Sequence, residues 1–248
     1  IAPPATFGFL AAAPAPIVVD GAVLGTVPGR AITLAAGRLE LDGHGGSGAL
    51  RAPGGSLTLA AASAGEWPLD GRGAAPAGAA NPIVIADGMR LDASGAGGRI
   101  VIRGGQFRVE RSVVTAQATD DGGAGAIDVD VAGEVELVDS ILQSATAGPH
   151  AAGRIAIRAD RLVLDDGSRV DTGTFGSGAG GSIAIEVGEA RIAGGSWVRN
   201  NVEADASGRG GRTDVVVRGT LVVDGADTAI TTTTLGEGEG GILSIRAG

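Results

Sequence analysis

The side chains in this sequence best suited to chemistry form three closely spaced acid pairs: Asp128 with Asp130, Glu134 with Glu136, and Asp165 with Asp166. Two carboxylates flanking a sugar linkage can act as general acid and base, or as acid and nucleophile, in glycan cleavage. Residues two apart on a strand share a face through alternation alone, so a solvated outer face accounts for the first two pairs without catalysis. A cleft for acidic polysaccharide would also recruit Lys or dense Arg and aromatic platforms. The sequence has no Lys and no Tyr, and its 19 basic residues are scattered Arg. No catalytic residue is assigned on this basis.

Other constellations are weaker. The run Gly122-Gly123-Ala124-Gly125-Ala126-Ile127-Asp128 is similar to the calcium-binding nonapeptide repeat, but Ile127 stands where that pattern needs Asp, so turn glycine is the simpler reading. His44 and His150 lack neighbouring ligand patterns, and neither a metal nor a cofactor is expected. Thr231 to Thr234 would order water only if Thr recurred at one outward position in many coils; a single Thr-rich strand is the expected explanation. Trp67 and Trp197 are the large aromatics, and either could stack on a sugar, which makes them the candidate contact residues.

Composition bounds what must position these residues. Gly supplies 46 of 248 residues and aromatics only 2%, while 44% of the chain is hydrophobic, so a core must be thin and filled by small or branched side chains. That much apolar surface in short regular runs argues against disorder. A formal charge of -9 and the lack of a concentrated basic run argue against nucleic acid or an anionic membrane as a partner, since both require a basic face. Cysteine is absent, which removes disulfides and thiolate metal sites and suits a bacterial protein that crosses an envelope unfolded. No apolar run approaches the ~20 residues of a spanning helix. The first ten residues lack a basic, signal-like start, and the chain is expected to begin in the middle of a longer polypeptide.

One phrase recurs: a Gly-rich turn running into an alternating apolar strand. It is clear at Gly98-Arg99-Ile100-Val101-Ile102, Gly125-Ala126-Ile127-Asp128-Val129, Gly153-Arg154-Ile155-Ala156-Ile157, Gly181-Ser182-Ile183-Ala184-Ile185, Gly211-Arg212-Thr213-Asp214-Val215 and Gly241-Ile242-Leu243-Ser244-Ile245. Weaker copies stand at Ile32-Thr33-Leu34 and Leu57-Thr58-Leu59. The first apolar positions are 32, 57, 100, 127, 155, 183, 213 and 243, and the later steps are 27 to 30 residues. Each unit holds a second alternating strand, such as Leu162-Val163-Leu164, and a shorter third, such as Ile141-Leu142-Gln143.

Three period-two strands per ~28 residues leave no room for helices and predict an all-β chain, a right-handed parallel β-helix (β-solenoid) of about eight coils with three strands per coil. An antiparallel sandwich is the competing fold, but it does not call for the same phrase in every coil. Residues 1–31 are expected to lead into the solenoid and 32–248 to form it. The step from 57 to 100 is 43 residues, about 15 more than its neighbours, which predicts a protruding loop at about 60–81 carrying Trp67. Asp42, Asp139, Asp165 and Asp224, at second-strand ends, are expected to bond turn amides.

The opening Pro4-Ala5-Thr6-Phe7-Gly8-Phe9-Leu10, followed by Pro28-Gly29-Arg30, Ile32-Thr33-Leu34-Ala35-Ala36-Gly37 and Ala52-Pro53-Gly54-Gly55-Ser56-Leu57-Thr58-Leu59-Ala60, resembles the filamentous haemagglutinin-like exoproteins of two-partner secretion, in the region just after their secretion domain. Ser177 to Ile183 resembles their shaft repeat. The resemblance implies a secreted β-helical rod at the bacterial cell surface, exported through an outer-membrane two-partner secretion transporter and used for adhesion to a host or neighbouring-cell surface or glycan. It implies no catalytic residues. Such family repeats commonly carry Asn in the turn, whereas only Asn81, Asn200 and Asn201 occur here, so turn stabilisation must come from other side chains. The resulting expectation is a structural or adhesive shaft, not an enzyme, able to self-associate into filaments through its strand edges. A β-helical polysaccharide lyase or glycosidase is the alternative, motivated by the fold alone.

Overall fold

The computed structural model describes residues 14–63, 81–118 and 123–248, together with the backbone of Thr6–Phe9 and Gly65–Pro68. Every regular element among the described residues is a β-strand. Apart from one two-stranded ribbon, all pair in parallel, each with its counterpart one coil away. The result is a β-solenoid of about seven turns, roughly 28 residues each.

The recurring apolar residues are the register. Ile32, Leu57, Ile100, Ile127, Ile155, Ile183, Thr213 and Leu243 lie opposite one another in a single column along the first face. On the second face Leu39, Ile83, Phe107, Val135 and Leu162 form the matching column. The third face has three-residue strands, from Val23–Gly25 to Ala229–Thr231, and each turns one apolar side chain inward, as Leu50, Leu91, Val114, Leu142, Val170 and Val198 do. These columns are the core, buried along the middle coils and opening at the ends, where Ile32 is half-buried and Leu243 exposed. Burial of one such Leu, Ile or Val contributes about 1.5–3 kcal/mol, so the core gains stability coil by coil. The strands Arg154–Asp165 and Ser182–Ile192 run unbroken through the first and second faces and join both into one 14-stranded sheet.

The corners explain the glycine and serine content. A Cβ on Gly153, Gly181 or Gly211 would lie 1.9 to 2.1 Å from the carbonyl oxygen of Gly125, Gly153 or Gly181 in the coil before. None of these glycines has a positive φ, so it is the close approach of stacked backbones that demands glycine here. At the corner between the second and third faces, Asp87, Arg111, Asp139 and Asp166 take left-handed φ of 46° to 53°. Beside them runs a buried serine column. The amides of Ser112, Ser140 and Ser168 donate to Oγ of Ser140, Ser168 and Ser196 at 3.1 to 3.2 Å. The Ser112, Ser140 and Ser168 hydroxyls donate in turn to the carbonyls of Glu110, Val138 and Asp165. This column supplies the turn stabilisation that asparagine does not.

The solenoid begins earlier than the sequence suggests, since Ile17–Asp20 already pairs with Leu39–Asp42. The excursion leaves after the strand Ser56–Ala61 and returns at Pro82–Ala86. Inside it, Gly65–Pro68 pairs antiparallel with Thr6–Phe9, placing Trp67 opposite Phe7. The side chain of Trp67 and residues 69–80 lie outside the described residues.

Candidate functional site

Alternation sends every second strand residue outward, and Asp128, Asp130, Glu134, Glu136 and Asp165 fall on such positions, while Asp166 lies in the turn beyond the strand. At least one acid of each pair acquires a local partner. Asp128 Oδ2 lies 3.2 Å from Arg99 Nη2 and 3.0 Å from Arg103 Nη2. Burial pushes the Asp128 carboxyl up, but Arg103 and then Arg99 outweigh it and hold the group below its ordinary value. Glu136 meets Arg108 of the previous coil at 2.7 Å, and Glu134 meets Arg161 of the next at 3.4 Å. Asp165 accepts the amide of Asp166, whose left-handed backbone belongs to the corner.

The second-strand aspartates divide in role. Asp42 and Asp165 bond turn amides as expected, at 2.6 and 2.9 Å. Asp139 is instead a left-handed corner residue, and Asp224 faces Arg191 at 3.9 Å. Third-strand Asp92 and Asp171, which the sequence does not single out, accept the amides of Ser94 and Gly173.

His44 is less isolated than it looks in sequence. The register sets Asp20 beside Asp42, and His44 Nδ1 comes within 3.4 Å of Asp20 Oδ1. The ligand atoms of the three lie within 4.8 Å of one another, but His44 is 78% and Asp20 68% exposed at the side chain, and Asp42 already accepts the His44 amide. His150 stands exposed in a turn. Thr does recur, at Thr146, Thr174 and Thr234, in a fourth column of single parallel bridges. Thr146 and Thr174 are buried, so the column faces away from water. Gly122 of the calcium-like run lies outside the described residues.

Trp197 follows the Gly194-Gly195 turn and begins the third-face strand Trp197–Arg199. Val198 points into the core, so Trp197 and Arg199 point out. Arg169, in register one coil back, places its guanidinium carbon 5.3 Å from the indole centroid, and that of Arg199 lies at 5.4 Å. Both distances suit cation–π attraction. Arg199 is fixed by Asp171 at 2.7 Å and Glu203 at 3.5 Å. One coil forward the in-register residue is Ala229, too small to cover an indole.

A groove of about 280 Å³ opens there, bordered by Trp197, Arg199, Asn201, Asp227, Ala229 and Thr231. Asn201 is 8% exposed. Its Oδ1 accepts the Thr231 hydroxyl at 3.3 Å and the Thr233 amide at 3.0 Å, while its Nδ2 makes no hydrogen bond to the described residues. Asp227 is exposed, has φ of 61° and forms no ion pair with the described residues. The groove thus offers an aromatic surface, an amide donor and a free carboxylate. Sequence reasoning found Trp197 but missed Asn201 and Asp227, because Asp227 and the Thr231 and Thr233 partners of Asn201 come from the next coil. The signal that could have found them is the register, which sets residues 169, 197 and 229 side by side.

No family model matches this chain, and no curated protein or solved structure was found to match it.

Proposed function

We propose that this chain is a shaft segment of a secreted bacterial surface exoprotein of the filamentous haemagglutinin-like kind, in which stacked coils supply length and the outer surface supplies adhesive contacts. The observation that carries this reading is the use of outward charges to join one coil to the next. Arg108 with Glu136, Arg161 with Glu134 and Arg158 with Glu186 all bridge adjacent coils. Exposed pairs of this kind contribute at most about 1 kcal/mol each, but repeated along the axis they stiffen a rod. Glu134 and Glu136 are held in those contacts and Asp128 by Arg99 and Arg103, so three of the acids that glycan cleavage could use are engaged in ion pairs, which favours binding over hydrolysis. Export by an outer-membrane two-partner transporter, display at the cell surface and a partner on a host or neighbouring cell belong to the same proposal.

The test uses beads coated with the chain, washed over cultured host cells and over immobilised polysaccharides, with polymer length measured afterwards. The proposal expects retention on cells or on a polysaccharide, with every polymer intact. Failure to attach to any surface would overturn it. Shortened polymer that stays intact with Asp128→Asn or Asp166→Asn would establish an enzyme instead.

A further inference from the structure

We infer that the groove between Trp197 and Ala229 is a binding subsite for one neutral pyranose ring of a surface glycan; the adhesive reading above provides its biological setting. Three independent features meet there. Arg169 and Arg199 stack on the indole at 5.3 and 5.4 Å, while its in-register neighbour in the next coil is only Ala229, so the indole borders the groove on the side of that small residue. The C–H face of a pyranose is the complementary surface, since it is apolar, rigid and carries a slight positive charge that the ring quadrupole attracts.

Asn201 is the second feature. The residue is 8% exposed and lines the groove, its oxygen is used twice within the fold, and its Nδ2 makes no hydrogen bond to the described residues. An amide donor not used within the fold can donate to a ligand hydroxyl seated in the groove.

Asp227 is the third. Held by its left-handed turn on the groove's rim, it presents a carboxylate that can accept hydrogen bonds from adjacent ring hydroxyls. The same charge decides the sugar class. A uronate or sialate would bring a second carboxylate against Asp227, whereas Arg199 is already engaged by Asp171 and Glu203 and Arg169 is stacked on the indole. At about 280 Å³ the groove accepts a single ring with linkages leaving it at either side, which fits an internal or terminal unit of a longer chain.

The experiment titrates the full chain carrying Trp67→Phe, which leaves Trp197 as its one tryptophan, with cellotetraose, mannotetraose, chitotetraose and tetragalacturonate. The expected result is a saturable change in Trp197 fluorescence with at least one of the three neutral probes, and binding weaker by about tenfold or more for the galacturonate. Calorimetry should show that Trp197→Ala loses at least about tenfold in affinity, Trp197→Phe retains part of it, and Asp227→Asn weakens it several-fold while keeping the turn, because Asn tolerates the same φ. Circular dichroism confirms folding, and Trp197→Phe with Asp227→Asn decide the matter if Trp197→Ala does not fold. Absence of binding by all three neutral probes, preference for galacturonate, or undiminished binding by Trp197→Ala overturns the assignment. Beads that attach to cells although no probe binds would remove this subsite and leave the adhesive reading standing. Probe binding without attachment would do the reverse.

Discussion

The backbone amide of Ser112 donates to the hydroxyl of Ser140 across one coil, at 3.2 Å and inside a buried corner. The same bond repeats from Ser140 to Ser168 and from Ser168 to Ser196. Ser140→Ala removes the acceptor and leaves the Ser112 amide unpaired, and it also removes the donor to the Val138 carbonyl. The expected cost is about 1–3 kcal/mol, read from the midpoint of a urea melt.

Close stacking, and not backbone dihedral, explains Gly153, Gly181 and Gly211 at the entries to the first face. Gly153→Ala would place a methyl 2.1 Å from both the Gly125 carbonyl oxygen and Ser144 Oγ. Gly123 has nothing within 4 Å of its would-be Cβ among the described residues. Thermal unfolding should therefore show Gly123→Ala unchanged within about 0.5 kcal/mol and Gly153→Ala lowered by more than about 3 kcal/mol. Equal effects of the two substitutions would contradict the stacking account.

Thr213 interrupts the isoleucine column of the first face. It is fully buried, and its Oγ1 has no hydrogen-bond partner among the described residues. Replacing the hydroxyl by a methyl, as in Thr213→Val, is expected to stabilise the protein by about 1 kcal/mol. A denaturant midpoint that falls would show that the hydroxyl has a role in the folded chain.

Acid should weaken the link between Asp128 and its two arginines. The Asp128 carboxyl is held below its ordinary value of 3.8, so its contribution is present at neutral pH and is lost as pH falls below that value through the folded one. Stability measured against pH should drop on this acid limb, and Asp128→Asn should flatten the drop while lowering stability at neutral pH. An unchanged acid limb in Asp128→Asn would show that the Arg99 and Arg103 contacts do not contribute.

Most of the fold was legible because its signal is local. Apolar alternation beside a glycine marks each first-face strand, and all eight marked residues, from Ile32 to Leu243, fall in one column. The serine column was equally available, since Ser112, Ser140, Ser168 and Ser196 stand 28 residues apart, yet a single serine near a turn carries no signal until the coils are aligned. The approach of Asp20 and Asp42 to His44 and the groove at Trp197 were hidden for a related reason. Their members belong to different coils, and the step from Trp197 to Ala229 is longer than 28 residues because the intervening turn is longer. Which outward residues share a groove depends on those unequal steps, and no motif within one coil encodes them.

Both the shaft and the sugar groove require residues one coil apart to be in-register neighbours. The chain contains no cysteine, so paired substitutions test this without background. Ile141 and Arg169 lie opposite one another on adjacent third-face strands, whereas Ile141 and Trp197 are two coils apart, about 9.6 Å at the usual strand spacing. Oxidation should rapidly join Ile141→Cys to Arg169→Cys within one molecule, because adjacent strands fall inside the separation a disulfide spans, and should leave Ile141→Cys with Trp197→Cys unjoined. Efficient bridging of the second pair, or none of the first, would contradict the stacked register on which the account rests.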